Sequence, residues 1–274
     1  SGAMTRPVFL SGLAALALLG APATAQAPAV SVFDQITPGQ TKQIEVQLKA
    51  DARLLGIPFE LARGTMRATL EDDAYSVQAD YRSSGFANDR NEAGRVTVSG
   101  LVDEGVLRPR SYLSQESSGK KRRIGIDFAA NPVSVDVAPR WGSMGSPPAS
   151  DAEKRQSVDP LTGLLELSLV TGRDRGQPCG GMVRIFDGKR RYDIRTSYDG
   201  QTTVSVPGYR GPAVRCRGQY VAVAGFDEPG ARHAVTIWLA DVNNSGVSVP
   251  VRMTGGNAVV SAVLTAQRIR VTRS

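Results

Sequence analysis

The sequence predicts a mainly β protein with a large, curved antiparallel β-sheet, spiral or open barrel-like, and one amphipathic helix near residues 159–171. Apolar and polar residues alternate over many short runs, and turn-forming residues separate these runs. Residues 159–171 instead hold the best helical spacing of apolar residues in the mature chain. A strongly bent sheet needs its concave side filled, and this helix is the obvious filler, although an acyl chain could occupy any space it leaves open.

The N-terminus predicts export. The first residues, SGAM, are typical of a cloning scar that runs into Met4, and an apolar run from Pro7 to Gly20 follows. Ala23-Thr24-Ala25 fits the small-x-small pattern of signal-peptide cleavage. We therefore expect residues 1–25 to be scar plus signal peptide, cleavage after Ala25 and a periplasmic mature chain; the alternative is an uncleaved amphipathic anchor. No later segment approaches the ~20 apolar residues of a membrane helix, so we expect no transmembrane segment in the mature chain.

We interpret residues 26–274 as a single β-rich domain. Strand signals dominate its first half. Met66, Ala68 and Leu70 face one way, and the alternation returns after the turn at 71–74, which predicts an antiparallel hairpin. Further predicted strands contain Ile44–Leu48, Val96–Val98, Ile124–Phe128 and Val133–Val137.

The middle of the chain changes character. Residues 141–157, WGSMGSPPASDAEKRQS, are rich in Gly, Pro, Ser and charge and predict an exposed linker. The helix follows, with Asp159 as its N-cap, Pro160 at its first position and Gly172 at its end. Its apolar side is formed by Leu161, Leu164, Leu165 and Leu169.

Strands resume after the helix. Met182–Phe186 and Arg190–Arg195 flank Asp187-Gly188-Lys189, which predicts a β-hairpin because Asp-Gly favours positive-φ turns. We expect the Arg and Lys side chains mainly on its solvent face and near its tip, with Ile185, Tyr192 and Ile194 on the other face. The remaining predicted strands are Tyr220–Ala224, Val235–Leu239, Val247–Met253, Val259–Leu264 and Ile269–Val271.

The chain carries an excess of positive charge. Lys and Arg number 33 against 26 Asp and Glu, a formal net charge of +7. For an exported chain, such charge suits anionic lipid or glycan, and we expect no nucleic-acid partner because the basic residues are dispersed. The candidate binding residues lie in two basic turns: Lys120, Lys121, Lys189, Arg190 and Arg191.

Two cysteines, Cys179 and Cys216, occur in the whole chain. In an exported protein they most simply form one disulfide. The absence of CxxC spacing leaves a redox or zinc site with little support.

The residues predict no catalytic site. The one histidine, His233, has no matching nucleophile motif, and the acidic clusters lie in turn contexts. Metal-ligand patterns are also missing, so we expect neither an enzyme, nor a cofactor, nor a metal site. An enzyme of unrecognised type is the alternative.

Five segments of the chain form a recognisable set: YRSSGF, GVLRPRSYLSQESSGKKRRIGIDF, DPLTGLL, CGGMVRIFDGKRRYDIR and GPAVRCRGQYVAVAGF. Together they resemble the DUF3108 family of exported bacterial proteins of unknown function. The resemblance implies a β-rich envelope protein with a disulfide at Cys179 and Cys216, and it brings no catalytic residues. The layout is also similar to that of DUF1849, periplasmic proteins with a spiral-like β-sheet that support envelope integrity. The segment LLGIPFELARGT departs from the simpler turn expected in the first hairpin.

These observations lead to two functional hypotheses. The first is a non-enzymatic periplasmic envelope protein that binds a lipid or glycan on its curved sheet. The second is a structural scaffold that docks on an envelope protein through the basic hairpin around Arg190 and Arg191.

Overall fold

The computed structural model describes residues 39–55, 57–84, 92–169, 179, 181–228, 232–245, 247–256 and 260–274. The predicted signal peptide and the predicted helix end at Gly172 lie outside these residues. None of the helices in the described part of the chain is long and apolar enough to cross a membrane.

Thirteen strands lie within the described residues. They are β1 (Lys42–Leu54), β2 (Ile57–Leu70), β3 (Ala74–Ser83), β4 (Ala93–Asp103), β5 (Val106–Glu116), β6 (Arg123–Asp127), β7 (Ser134–Ala138), β8 (Gly181–Phe186), β9 (Arg191–Val206), β10 (Tyr209–Ala224), β11 (Arg232–Asp241), β12 (Ser248–Gly256) and β13 (Val260–Arg273). The helices are α1 (Asp151–Arg155), α2 (Pro160–Leu169) and a short 3-10 helix (Val242–Asn244).

All of these strands belong to one antiparallel sheet in the order β7-β6-β5-β4-β3-β2-β1-β13-β12-β11-β10-β9-β8. The sheet therefore consists of two meanders, β1–β7 and β8–β13. They are joined by the pairing of β1 with β13, which runs from Lys42 opposite Arg273 to Leu54 opposite Val260. The edge strands β7 and β8 do not pair, so the sheet is not closed into a barrel. This confirms the predicted fold class.

The sheet curls until its two edges approach each other. Gly188, in the β8–β9 turn at one edge, lies so close to Ile124 on β6 that a Cβ on Gly188 would be 2.5 Å from the Ile124 Cγ2. Residue Val158, just before α2, forms a parallel bridge to Ile185 on β8. Its N–H donates to the Arg184 carbonyl and its carbonyl accepts from the Phe186 N–H, each at 2.9 Å. Val158 thus covers part of the outer edge of β8.

The inner face of the sheet is packed with apolar side chains. Alternation along the strands brings one residue in two to this face, as the period of a β-strand requires. The far end of the β9–β10 hairpin joins the same core, where the Gly208 N–H donates to the Ala266 carbonyl at 2.9 Å. Core members from both meanders include Val46, Met66, Leu70, Tyr75, Val98, Leu107, Ile126, Phe186, Val204, Val249, Val251 and Ala266, and Leu165 joins them from α2.

A buried polar contact holds α2 against this core. Tyr75 on β3 is paired with Gly100 on β4. The Tyr75 ring covers Gly100 so closely that a Cβ on Gly100 would lie 2.5 Å from the ring atoms. The Tyr75 hydroxyl thereby reaches the Thr162 Oγ1 at 2.8 Å. Asp159 caps the helix: its Oδ1 accepts from the N–H groups of Leu161 and Thr162 at 2.9 Å, and its Oδ2 accepts from the Thr162 hydroxyl at 2.5 Å. The structure confirms the predicted cap and the Pro160 start.

The structure differs from the strand predictions at several places, and a single strand, β13, stands where two strands, Val259–Leu264 and Ile269–Val271, were predicted. Strand β5 has no counterpart among the predicted strands, and β9 and β10 run far beyond the predicted Arg190–Arg195 and Tyr220–Ala224. The linker is indeed mostly exposed, but it contains α1, whose N-cap Ser150 and third residue Glu153 form a capping box.

The predicted disulfide joins Cys179 to Cys216, with the two Cα atoms 5.4 Å apart. Cys216 lies on β10 and is buried against Ile237 and Leu239 of β11. The bridge therefore fastens the segment that precedes β8 to a strand two places away in the sheet.

We expect Cys216→Ser to lower the free energy of unfolding by about 3–4 kcal/mol, because opening the bridge frees the intervening loop in the unfolded chain. Urea unfolding of the variant, with reduced wild-type protein as the control, measures this. A variant as stable as the oxidised wild type would contradict the structural role of the bridge.

Burial raises the pKa of the Asp159 carboxyl above its ordinary value of 3.8, against the opposing effect of hydrogen bonds from the Thr162 hydroxyl and the N–H groups of Thr162 and Leu161. A carboxyl whose pKa is raised in the folded state contributes most to the stability of the protein when the pH is below its unfolded-state pKa. This contribution is lost as the pH rises through the folded-state pKa. We therefore expect Asp159→Asn, which keeps a capping side chain, to gain stability relative to wild type as pH rises above 3.8. Urea unfolding across pH tests this, and a pH-independent difference would contradict it.

Candidate binding surface at the basic end of the sheet

Two basic turns lie at the same end of the sheet. In an antiparallel meander successive turns alternate between the ends, so the β1–β2 and β5–β6 turns share one end. Because Val260, which begins β13, pairs with Leu54 at the β1–β2 turn, the β8–β9 turn falls at this end as well. We call it the basic end, defined by Lys120, Lys121, Arg122, Lys189 and Arg190.

The β8–β9 turn is shaped by its first residue. The Asp187 Oδ1 accepts from the N–H groups of Lys189 and Arg190 at 3.0 and 2.7 Å, and the Asp187 N–H donates to the Arg190 carbonyl at 3.1 Å. Gly188 takes a φ of 100°, which favours glycine. The predicted hairpin is confirmed, and its tip projects Arg190 into solvent.

Two of the candidate cations in this hairpin are buried, although we expected such side chains mainly at the solvent face. Lys189 donates from its Nζ to the Asp227 Oδ2 at 2.7 Å, and this bond, followed by one from Ser143, lowers the pKa of the Asp227 carboxyl. Arg191 pairs with Asp193 at 2.6 Å, and their side chains are only 5% and 8% exposed. Tyr192 and Ile194 are half-buried on the opposite face of β9. Lys189 and Arg191 thus serve local ion pairs.

The other basic turn presents its charges to solvent. Lys120 and Lys121 are exposed in the β5–β6 turn, which is closed by a hydrogen bond of 2.9 Å from the Glu116 N–H to the Arg122 carbonyl. Arg122 turns away from these lysines. Its Nε donates to the Pro139 carbonyl at 3.3 Å.

Trp141 brings the two turns together. The Arg122 guanidinium stacks over its ring at 3.7 Å, and the Lys189 Nζ lies 5.8 Å from the ring centre. Such cation–π contacts hold cations near an aromatic face. Trp141 was not among the predicted site residues, although a tryptophan is unusual in a stretch otherwise rich in Gly, Pro and Ser and indicates a packing role. The result is a surface on which Lys120, Lys121 and Arg190 are exposed around a fixed centre.

The loop that carries Trp141 is held against the β10–β11 connection. The Ser146 N–H donates to the Phe226 carbonyl at 2.9 Å, and the Gly225 N–H donates to the Pro147 carbonyl at 2.8 Å. Gly225 takes a φ of 81° and lies directly against the Lys189 carbonyl, so a side chain there would displace the β8–β9 turn. The exposed linker is therefore also the support of the basic end.

A surface groove also lies away from the basic end, and most of its arginines contact other residues of the chain. A groove of about 410 Å³ lies between β5, β8 and the start of α2, lined by residues that include Arg108, Arg155 and Arg184. Arg108 pairs with Asp103 at 2.8 Å, and Arg155 donates to the Asn131 Oδ1. Two of its three arginines thus have partners.

The described residues provide no group of three or more His, Cys, Asp or Glu side chains that could hold a metal ion. His233 lies exposed on β11, with its ring centre 6.0 Å from that of Tyr220.

These features define an open, curled antiparallel β-sheet protein with one helix packed on its inner face, one disulfide and a cationic surface at one end. The chain belongs to the DUF3108 family, whose sequence profile, described as a protein of unknown function, matches residues 44–262. No curated protein matches the sequence.

Solved structures resemble the chain at low sequence identity. One is a β-barrel-like protein of the domain of unknown function DUF1849 from Brucella abortus, with a TM-score of 0.47, 11% identity and coverage of 86% of this chain and 99% of that chain. Another is a protein with a YmcC-like fold from Bacteroides fragilis NCTC 9343, with a TM-score of 0.35, 10% identity and coverage of 86% and 97%.

The contrast between neighbouring arginines gives a stability test. We expect Arg191→Ala to lower the free energy of unfolding by about 3 kcal/mol, because it leaves the buried Asp193 carboxylate with only the exposed Arg195, at 3.5 Å, as its partner. The matched control Arg190→Ala removes an exposed side chain and should change stability by no more than about 0.5 kcal/mol. Equal effects in urea unfolding would contradict the assigned burial.

Proposed function

We propose that the protein is a non-enzymatic extracytoplasmic protein that binds an anionic component of the cell envelope through its basic end. One observation carries the proposal: Lys120, Lys121 and Arg190 are exposed and form no ion pair with a described residue. Lys189 and Arg191, in contrast, are neutralised by Asp227 and Asp193. Cations that form no ion pair with a described acidic residue are available to an anionic ligand.

The disulfide supports the location. Disulfides persist in oxidising compartments such as the periplasm and are rare in the cytoplasm. The bridge between Cys179 and Cys216 therefore favours a periplasmic protein, in agreement with the predicted signal peptide.

The packed interior favours an external ligand site. The described inner face carries the apolar core, the end of the β9–β10 hairpin and helix α2. We therefore assign binding to the end of the sheet and not to its concave side.

The buried acid supports a role without catalysis. Asp159 has a raised pKa, a property shared by many catalytic acids. Its carboxylate, however, is fully buried and accepts three hydrogen bonds from the first turn of α2. A helix cap in this position cannot reach a substrate.

Charge reversal tests the proposal. Wild-type protein purified after export should carry a bound anionic lipid or glycan in native mass spectrometry, and Lys121→Glu combined with Arg190→Glu should abolish it while the thermal unfolding temperature stays unchanged. The control combines Arg110→Glu with Arg210→Glu, two exposed arginines outside the basic end, and should retain the ligand.

Wild-type protein without any ligand, or a double variant that keeps it, would contradict the proposal. Ligand-free wild type that cross-links in cells to an envelope protein through Arg190 would instead support the docking hypothesis.

A further inference from the structure

The tip of the β1–β2 hairpin exposes an apolar cluster. Leu54, Leu55 and Ile57 are 48%, 76% and 60% exposed. Turns at such positions usually consist of Gly, Asn, Asp, Pro or Ser. Three large aliphatic side chains on one exposed turn form an apolar patch of the kind that marks an interaction site.

The tip extends beyond the neighbouring strand on one side. Strands β1 and β2 pair as far as Leu54 opposite Ile57, whereas β3 pairs with β2 only as far as Ser83 opposite Ala62. The apolar side chains therefore lie at the far end of a hairpin that is fixed in position by the pairing of β1 with β13 up to Val260.

The cluster shares its end of the sheet with the exposed cations. The β1–β2, β5–β6 and β8–β9 turns all lie at the basic end, so Leu55 lies at the same end of the strands as Lys121 and Arg190. Arg53, next to the tip, is also exposed. The β2–β3 and β4–β5 turns at the opposite end carry five exposed acidic residues, at 71–73 and 103–104, of which Asp103 is paired with Arg108. The basic end exposes fewer acids among the described residues of its turns: Asp227, which is paired with Lys189, and Glu228.

We propose that the β1–β2 tip inserts into a phospholipid surface with anionic headgroups, while the cations of the basic end contact those headgroups. A protein that lies on a membrane needs apolar area for the acyl boundary together with positive charge for the headgroups, because either attraction alone is weak. The acidic turns at the far end orient the molecule, since they are repelled by the same surface. The inference rests on the proposed function in that it uses the same cations, and it adds the ligand class and the inserting residues.

Vesicle co-sedimentation tests the insertion. Exported protein, with its N-terminus checked by mass spectrometry, is mixed with vesicles that contain phosphatidylglycerol or with vesicles of phosphatidylcholine alone. We expect binding to the anionic vesicles only, and about a tenfold or larger loss of affinity in the variant that combines Leu55→Ser with Ile57→Ser. The control Leu101→Ser removes a side chain that is 45% exposed at the opposite end, and should bind like wild type.

The outcomes separate the two proposals. Tip variants that lose vesicle binding but keep the co-purified anionic component support both, and variants that bind vesicles like wild type overturn the insertion alone. Wild-type protein that ignores anionic vesicles also overturns the insertion, whatever it carries in native mass spectrometry. Circular dichroism melting of every variant excludes unfolding as the cause of a loss.

Discussion

The structure depends on the antiparallel pairing of β1 with β13. This ladder joins the first described strand of the chain to the last, and it turns two meanders into one curled sheet. Val46 and Ala266, on the two strands, are completely buried in the shared core. The entropic cost of closing so long a loop grows only slowly with its length, so a long ladder with buried side chains can offset it. The ladder and the Trp141 loop together keep the two meanders close enough for Gly188 to contact Ile124.

Position within one turn decides what each cation does. Lys189 and Arg191 point to carboxylates and are buried, whereas Arg190 between them is exposed. Alternation along the hairpin thus divides a basic run into structural and surface charges. The supporting residues, Trp141 and Gly225, come from connections distant in sequence, and they fix the turn without occupying its outer surface.

Local chemistry made much of this fold predictable. Strand alternation, the Asp159 cap, the Asp187-Gly188 turn and the cysteine pair each depend on residues close in sequence or few in number. Strand β5 was missed because Pro109 interrupts its pattern; the structure accommodates this proline at a bulge opposite Gly100. Burial of Lys189 depends on Asp227, and the role of Trp141 depends on a distant loop, so neither follows from local pattern. The only sign of the apolar turn at Leu55 in the sequence was that the segment LLGIPFELARGT differs from the simpler turn expected in the first hairpin.

The two edge strands of the open sheet limit the ways in which another protein chain can bind. Edge strands commonly recruit an extra strand from another chain, which gives β-augmentation or aggregation. Here Val158 already occupies the backbone groups of Arg184 and Phe186 on β8. Strand β7 has five residues and is followed directly by Pro139, which offers no N–H. Neither edge favours the addition of a strand from another chain, which agrees with the proposed binding through side chains at the strand ends.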